Sequence, residues 1–282
     1  MGKHYVPQKY LKGFAVPEDE NLIWMYDKET RKWSRPAIKR VAQERDYFSE
    51  DVEKRLTTEI ENPGNAVLDQ LRAGGRFSPA DRGLLENYIT VMMMRVPRRR
   101  RKSFESFPSV RDSTIDSVRQ EIAASVDKAD PEVISNLLHE VDRLAELYAT
   151  EIPESVIDEI HSPWPSEGIL DAVRRMTWRL VPAPPALFFV TSDNPAFFFE
   201  AYGVGSPKAE LTFPISTTLA LLASHRGEPG ATLVNPVRPA VFKEVNRRII
   251  SGAERFIFTR YKADWIEVVA NKSNVYLSRI GW

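Results

Sequence analysis

The spacing of apolar side chains along the chain predicts a β-rich start in residues 1–48. Strand-forming residues around Trp24 are followed by a polar turn at 27–30 and then by Trp33. This succession of β-prone residues around a polar turn is typical of a β-hairpin. A third short strand is predicted at 37–41.

Residues 49–176 are predicted to be helical. Val52, Leu56 and Ile60 recur every four residues, until the sequence Glu-Asn-Pro-Gly at 61–64 interrupts this apolar pattern, which resumes at Val67 and Leu71. Ser78, followed by proline and an acidic residue, is a strong helix start.

Asp130 and Pro131 repeat this start signal. The helix that they open is expected to turn an apolar face inward, a face that includes Leu137 and Leu147.

The period changes to that of strands in residues 177–282. Strands are predicted at 177–181, 187–191, 196–199, 218–223 and 255–259. One late helix is predicted at 239–251, with Asn246 and Arg247 or Arg248 as ordinary solvent-facing groups. The pattern predicts an α+β fold, in which N-terminal and C-terminal strands build a mixed or antiparallel sheet around a helical middle segment. We expect residues 1–282 to form a single domain.

Composition narrows the chemistry. The chain has 39 basic and 39 acidic residues and no cysteine. The lack of cysteine excludes disulfides, thiolate zinc sites and cysteine nucleophiles. The balanced charge excludes a protein that binds nucleic acid over a uniformly basic surface. The lack of cysteine and of long apolar runs predicts a cytoplasmic protein without a membrane span.

The charge balance conceals a local segregation. Residues 103–175 carry 16 acidic and 6 basic side chains, so the flanking parts are mildly basic. A local anion site is compatible with this distribution. No phosphate loop, dinucleotide fingerprint or paired-histidine motif is present, so the sequence assigns no cofactor. A metal site would depend on carboxylates with at most two histidines.

The opening His-Tyr-Val-Pro sequence is the first candidate for chemistry. The proline keeps the residues before it extended and begins a helical turn, which Tyr10 and Phe14 can hold against a core. His4 would then lie on a short extended segment directly before a fixed helical turn, where its imidazole can act as acid, base or ligand. Alternatively, His4 only packs at this end of the domain.

The second candidate lies between two phenylalanine-rich runs. Ser192, Asp193 and Asn194 place a hydroxyl, a carboxylate and an amide at the end of an apolar strand, a common position for catalytic groups. The alternative is an Asx-type turn ahead of a proline. Ser216, in Phe-Pro-Ile-Ser, is a weaker candidate for the same polar site.

A basic cluster follows one predicted helix. Arg95 and the run from Arg98 to Lys102 could neutralise phosphates. Cations just past a helix C-terminus also interact favourably with the helix dipole, which is a purely structural explanation.

These motifs together resemble the bacterial family catalogued as domain of unknown function 4238. The resemblance is carried by His4-Tyr5-Val6-Pro7, Tyr10-Leu11, Phe14, Asp46-Tyr47-Phe48, Arg95-x-Pro97, Ser192-Asp193-Asn194-Pro195 and Phe213-Pro214-Ile215-Ser216. It implies one domain over nearly the whole chain and a site shared by distant motifs, and it supplies no reaction.

The resulting hypothesis is a hydrolase site in which the motifs converge. His4, Asp193, Asn194 and Ser192 would be catalytic, with one helical glutamate (Glu53, Glu59 or Glu61) beside them. Arg95, Arg98, Gln8 and Ser216 would bind the substrate. A phosphodiester, as in nucleic acid or another phosphate-bearing ligand, suits a histidine–carboxylate site next to arginines. The rival hypothesis is a non-catalytic module that binds a ligand or partner and whose motifs are structural.

Overall fold

Residues 1–97 and 163–282 form one compact unit, and residues 98–162 form another. The computed structural model describes residues 2–125, 130–234, 238–273 and 275–280. Its helices are α1 (Gln8–Leu11), α2 (Glu50–Arg55), α3 (Asn62–Arg72), α4 (Pro79–Met94), α5 (Pro97–Ala123), α6 (Pro131–Thr150), α7 (Glu154–His161), α8 (Glu167–Arg174), α9 (Pro239–Gly252) and α10 (Asp264–Ala270). None of the helices in these ranges is long and apolar enough to cross a membrane.

The first unit contains two larger sheets and a strand pair. Its strands are β1 (Gly2–His4), β2 (Trp24–Asp27), β3 (Lys32–Ser34), β4 (Gln43–Arg45), β5 (Thr177–Pro182), β6 (Thr191–Ser192), β7 (Phe197–Phe198), β8 (Glu210–Pro214), β9 (Leu219–Ser224), β10 (Gly230–Leu233) and β11 (Phe256–Thr259). The sheet orders are β10-β5-β9-β8-β7, β3-β2-β11-β6 and β1-β4. Only β10 and β5 run parallel among these paired strands. The fold is α+β, and the sheet that joins β2 and β3 to β11 and β6 confirms that N-terminal and C-terminal strands combine.

The five-stranded sheet is covered on both faces. Strand side chains alternate between faces, so Leu221 of β9 packs into the core with α3 and α4, whereas Leu222 packs against α9. The opposite side of α9, with Ile249, packs against Ile257 of β11. Helix α9 is therefore enclosed between the two sheets. The strands of the five-stranded sheet are covered on both faces, and this explains why their sequences are almost continuously apolar.

The enclosure of α9 corrects the prediction for its polar residues. Asn246 and Arg248 are both buried rather than solvent-facing. The Asn246 side chain accepts a hydrogen bond from Val190 N (3.0 Å) and donates one to Phe188 O (3.1 Å). The side-chain amide of Asn246 thus makes the main-chain hydrogen bonds that a neighbouring strand would otherwise make. Of the strand predicted at 187–191, only the last residue belongs to a strand, β6.

One other local prediction is wrong. The segment predicted as a strand at 37–41 contains a 3₁₀ turn, Ile38–Arg40, and the strand follows as β4.

The apolar pattern is interrupted at 61–64, but the helix continues through these residues. A π-helical turn, Leu56–Glu61, joins α2 to α3 without a break. The changed hydrogen-bond pattern precedes Pro63, which cannot donate the normal helical bond.

The second unit is built from α5, α6 and α7. Arg111 donates to Tyr148 O at 2.9 Å and Arg119 pairs with Asp142 at 2.7 Å, so α5 and α6 run antiparallel. The apolar face predicted for α6 is only partly buried, because α5 and α6 each cover one stripe of the other helix. Leu137 remains 47% exposed.

The basic run at 98–102 follows the end of α4 and lies in the first turns of α5. The dipole of α5 does not favour cations at this N-terminal end, whereas Arg95 is the C-cap of α4, where a cation is favoured.

The close contact between α3 and α4 provides a test of the packing. A Cβ on Gly64 would lie 2.2 Å from the buried ring of Tyr88, so Gly64→Ala forces the helices apart. We expect it to lower the free energy of unfolding by about 1–3 kcal/mol in urea titrations. Gly83→Ala in α4 is the matched control, because nothing lies within 4 Å of its Cβ. It should stabilise by about 0.5–1 kcal/mol. Equal stability of the two variants would contradict the close contact.

Candidate functional site

A polar cavity of about 570 Å³ lies in the first unit, between the start of the chain and the helix formed by α2, the π turn and α3. Its walls include His4 and Gln8 from the start, Glu53 and Glu61 from the helix, and Arg95 from the end of α4. Volumes of this size are typical of small-molecule sites.

His4 is held by its main chain. Strand β1 pairs His4 with Gln43 of β4, and Pro7 directly precedes α1. The main chain of Lys39 raises the pKa of the imidazole. Nε2 is buried and has no hydrogen-bond partner in the described chain. In the neutral tautomer that carries its proton on Nδ1, Nε2 holds the lone pair.

The pKa of His4 lies below its ordinary value. Burial is the main cause and the nearby Arg95 adds to it, while Glu61 and the Lys39 carbonyl act in the opposite direction. The neutral, proton-accepting form is consequently favoured at neutral pH.

The helical wall owes its polar face to the π turn. Glu53, Thr57, Glu61, Asn65 and Asp69 recur every four residues, and all five line the cavity. In an α-helix of 3.6 residues per turn, each such step drifts by roughly 40° around the axis. A π turn holds more residues and rotates the stripe back, so that carboxylates two turns apart face the same space.

The two glutamates of this stripe differ in environment. Glu61 pairs with Arg95 at 2.6 Å. Glu53 Oε1 is buried and accepts no hydrogen bond from any residue described. Burial raises the pKa of Glu53, Glu61 raises it further, and Arg95 and Lys3 oppose the rise. Glu53 is thus the group of the pair suited to carry a proton.

Arg95 links three elements at the cavity. Its side chain is 1% exposed, donates from Nη1 to Glu61 and from Nη2 to the carbonyl of His4, and lies over the ring of Phe48. Its Nε is buried, and the described residues offer it no acceptor. Arg95 therefore positions His4 while keeping one N–H group unpaired.

Three residues that line this cavity thus each carry a buried polar atom without a hydrogen-bond partner in the described chain. These atoms are an imidazole nitrogen (His4), a carboxyl oxygen (Glu53) and a guanidinium nitrogen (Arg95). Proteins pair about 90% or more of such groups, because each one left unpaired costs about 1–3 kcal/mol. Three such residues around one cavity mark it as the candidate site.

Asp193 lies in a different environment. One carboxylate oxygen accepts from Glu254 N (2.8 Å), and the other accepts from Arg255 N (2.7 Å) and Phe256 N (2.8 Å). Burial raises the pKa of Asp193 to about 6, against the effect of these amides. The carboxylate joins the end of α9 to β11, and its oxygens are already occupied by main chain.

The residues beside Asp193 make similar local contacts. Ser192 Oγ donates to Asn194 O at 2.9 Å, and Asn194 Nδ2 donates to Gly252 O at 2.9 Å. Ser216 Oγ accepts from Thr218 N at 3.1 Å. Within the described ranges, neither these three residues nor Asp193 line the cavity of His4.

The start of the chain is connected to the other two motifs through Tyr10 and not through His4. Its buried hydroxyl donates to Pro214 O at 2.8 Å, and Thr191 Oγ1 lies 2.8 Å away. A phenol has a single proton, so the threonine hydroxyl is the donor in the second bond. Tyr10 thus fixes the start of the chain to the strands that carry the other two motifs.

Some of the site was missed by sequence reasoning. The choice among the helical glutamates falls on Glu53 and Glu61, while Glu59 pairs with the exposed Arg55. Asn65 was not singled out, although the four-residue spacing from Glu53 to Asp69 was a readable signal. Arg98 belongs to the second unit, and its proposed role in substrate binding stays a prediction. No group of three or more histidine, aspartate or glutamate residues in the described ranges is arranged to hold a metal ion.

The fold and the site together define an α+β protein with a buried histidine–glutamate–arginine cavity. The chain belongs to the family described as "Protein of unknown function (DUF4238)", whose model matches residues 3–263. No curated protein and no solved structure matches the chain.

The contacts of Asp193 predict a structural role. Asp193→Ala would leave three main-chain N–H groups without acceptors, and we expect it to lower the free energy of unfolding by about 3–5 kcal/mol. Asp19→Ala is the control, because the half-buried Asp19 side chain accepts a single main-chain bond, from Asn21 N. It should cost less than about 1 kcal/mol in the same urea titration. An Asp193→Ala protein as stable as the wild type would overturn this assignment.

Proposed function

We propose that the protein is a hydrolase that cleaves a phosphodiester by acid–base chemistry in the His4 cavity. The observation that carries the proposal is the set of unpaired buried atoms on His4, Glu53 and Arg95. They match the three needs of this reaction, which are a proton acceptor, a proton donor and a donor group for a charged oxygen.

In the proposed step, His4 Nε2 accepts a proton from the attacking water as its oxygen bonds to phosphorus. The bond from phosphorus to the leaving oxygen breaks, and that oxygen takes the proton of Glu53. His4 ends protonated and Glu53 ionised, and exchange of one proton through solvent restores both. The lowered pKa of His4 and the raised pKa of Glu53 support these roles.

Arg95 would supply a fixed positive charge beside the phosphoryl group, while Nη1 and Nη2 hold Glu61 and His4 in place. Lys9 at the rim adds a positive charge, and Asp69 lies 3.0 Å from it. Gln8 and Asn65 supply amide groups for a base or sugar. A nucleic acid is the proposed substrate, and the lack of cysteine supports a cytoplasmic location.

One observation favours the rival function, a ligand-binding module without catalysis. Asp193, from the second motif, is saturated by main-chain amides, as expected of a structural motif. In that case the cavity binds the ligand through the same atoms without breaking a bond.

The test is cleavage of RNA, single-stranded DNA, double-stranded DNA and bis(p-nitrophenyl) phosphate, with and without added divalent metal. His4→Gln and Glu53→Gln should each lower kcat/KM by about 100-fold or more, because each removes one proton-transfer group. Glu59→Gln is the matched control, since its carboxylate is on the same helix but pairs with exposed Arg55. It should keep wild-type activity.

The pH profile checks the same roles. The base must be neutral and the acid protonated, so the rate should fall on both sides of a maximum. The maximum should lie below pH 7, because the pKa of His4 is lowered and that of Glu53 is raised. Ligand binding that depends on His4, without cleavage of any substrate, would favour the binding module. Full activity of both glutamine variants would refute the site.

A further inference from the structure

A second set of buried charges lies on the opposite face of the five-stranded sheet, between β8 and α9. Glu210 of β8 and Glu244 and Arg248 of α9 are all buried. Arg248 Nη2 donates to Glu210 Oε2 at 2.6 Å and Arg248 Nη1 to Thr212 Oγ1 at 3.0 Å. We call this cluster, Glu210, Thr212, Glu244 and Arg248, the main-chain groove.

The groove binds the main chain of residues 275–280. Ser278 N donates to Glu244 Oε1 at 2.7 Å, and Ile280 N donates to Glu210 Oε2 at 2.8 Å. Arg248 Nη2 donates to Ser278 O at 2.6 Å. The groove thus contacts two N–H groups, two residues apart, and the carbonyl of the first residue.

Two side chains of the segment, those of Arg279 and Ile280, also contact the rest of the protein. Ile280 is 6% exposed and packs with Phe242 and Val245, whereas Tyr276 is 80% exposed. Arg279 Nε lies 3.5 Å from Glu210 Oε1. Recognition therefore depends on an extended main chain, one aliphatic anchor and a neighbouring basic residue.

The segment and the groove are separable parts of the chain. Residues 275–280 contain no helix or strand, and their contacts come from side chains of the groove instead of a β-ladder. The four groove residues lie inside the family match, which ends at residue 263, and the segment lies outside it. Without the segment, Glu210 and Glu244 would lose these amide donors, and burial of unsatisfied charges is strongly unfavourable.

We propose that the main-chain groove is a binding site for an extended peptide, which residues 275–280 occupy in cis. The partner that it fits is a peptide segment in trans with a basic residue followed by a branched aliphatic one. Tethering gives the cis segment an effective concentration in the millimolar range, so a partner gains access when the segment is weakened. This inference is independent of the proposed hydrolase activity.

The test measures anisotropy of a fluorescent, amidated peptide of residues 275–280 added to the full chain. Ile280→Asp places a carboxylate in the apolar pocket and should displace the cis segment. The variant should bind the peptide at least about tenfold more tightly than the wild type, whose groove is occupied. Ser278→Pro is a second variant, because it removes the N–H that donates to Glu244.

The control is the same peptide carrying Ile280→Asp, which should not bind either variant. Circular dichroism establishes that each variant is folded. Absence of peptide binding to a folded variant would overturn the proposal. Unfolding of both variants would overturn it as well, since the segment would then be a fixed part of the core.

Discussion

The candidate site depends on the buried guanidinium of Arg95. It holds the carboxylate of Glu61 and the carbonyl of His4, and so connects the end of α4 to the π turn and to β1. A buried arginine is tolerated only when most of its donors are paired, which makes the positions of both partners interdependent. The same pairing fixes Glu61 near Glu53, and Glu61 raises the pKa of Glu53. Geometry and proton distribution in the cavity therefore have a common cause.

The family motifs separate into two groups with different physical roles. His4, Phe48 and Arg95 meet at the cavity. In the other group, the buried hydroxyl of Tyr10 contacts Thr191, which directly precedes the turn at 192–195, and Pro214 of the Phe-Pro-Ile-Ser sequence. The second group fixes the start of the chain to the central strands, and α1 transmits that anchoring to His4. A motif can thus be essential to the site without contributing an atom to it.

The sequence predicted the α+β class and the shared sheet because strand periodicity is a local property that survives packing. It failed where tertiary contacts replaced local rules. Asn246 is polar on a helix, yet it is buried because α9 is covered on both sides. Asp193 was predicted to be catalytic, and the three main-chain amides that donate to its carboxylate favour a structural role, which no sequence pattern indicates. His4 and Arg95 were predicted and Glu53 was one of three candidate glutamates, but only the π turn shows which of the three line the cavity.

The central claim is that the imidazole of His4 is neutral and carries its proton on Nδ1, so that Nε2 is the atom that accepts a proton. Long-range ¹H–¹⁵N NMR of the four histidines, with His4→Gln for assignment, measures both tautomer and pKa directly. We predict the Nδ1–H tautomer for His4 and a titration midpoint below that of an unperturbed histidine. Addition of a phosphodiester should shift its Nε2 resonance. An Nε2–H tautomer, or a midpoint above the ordinary value, would contradict the account.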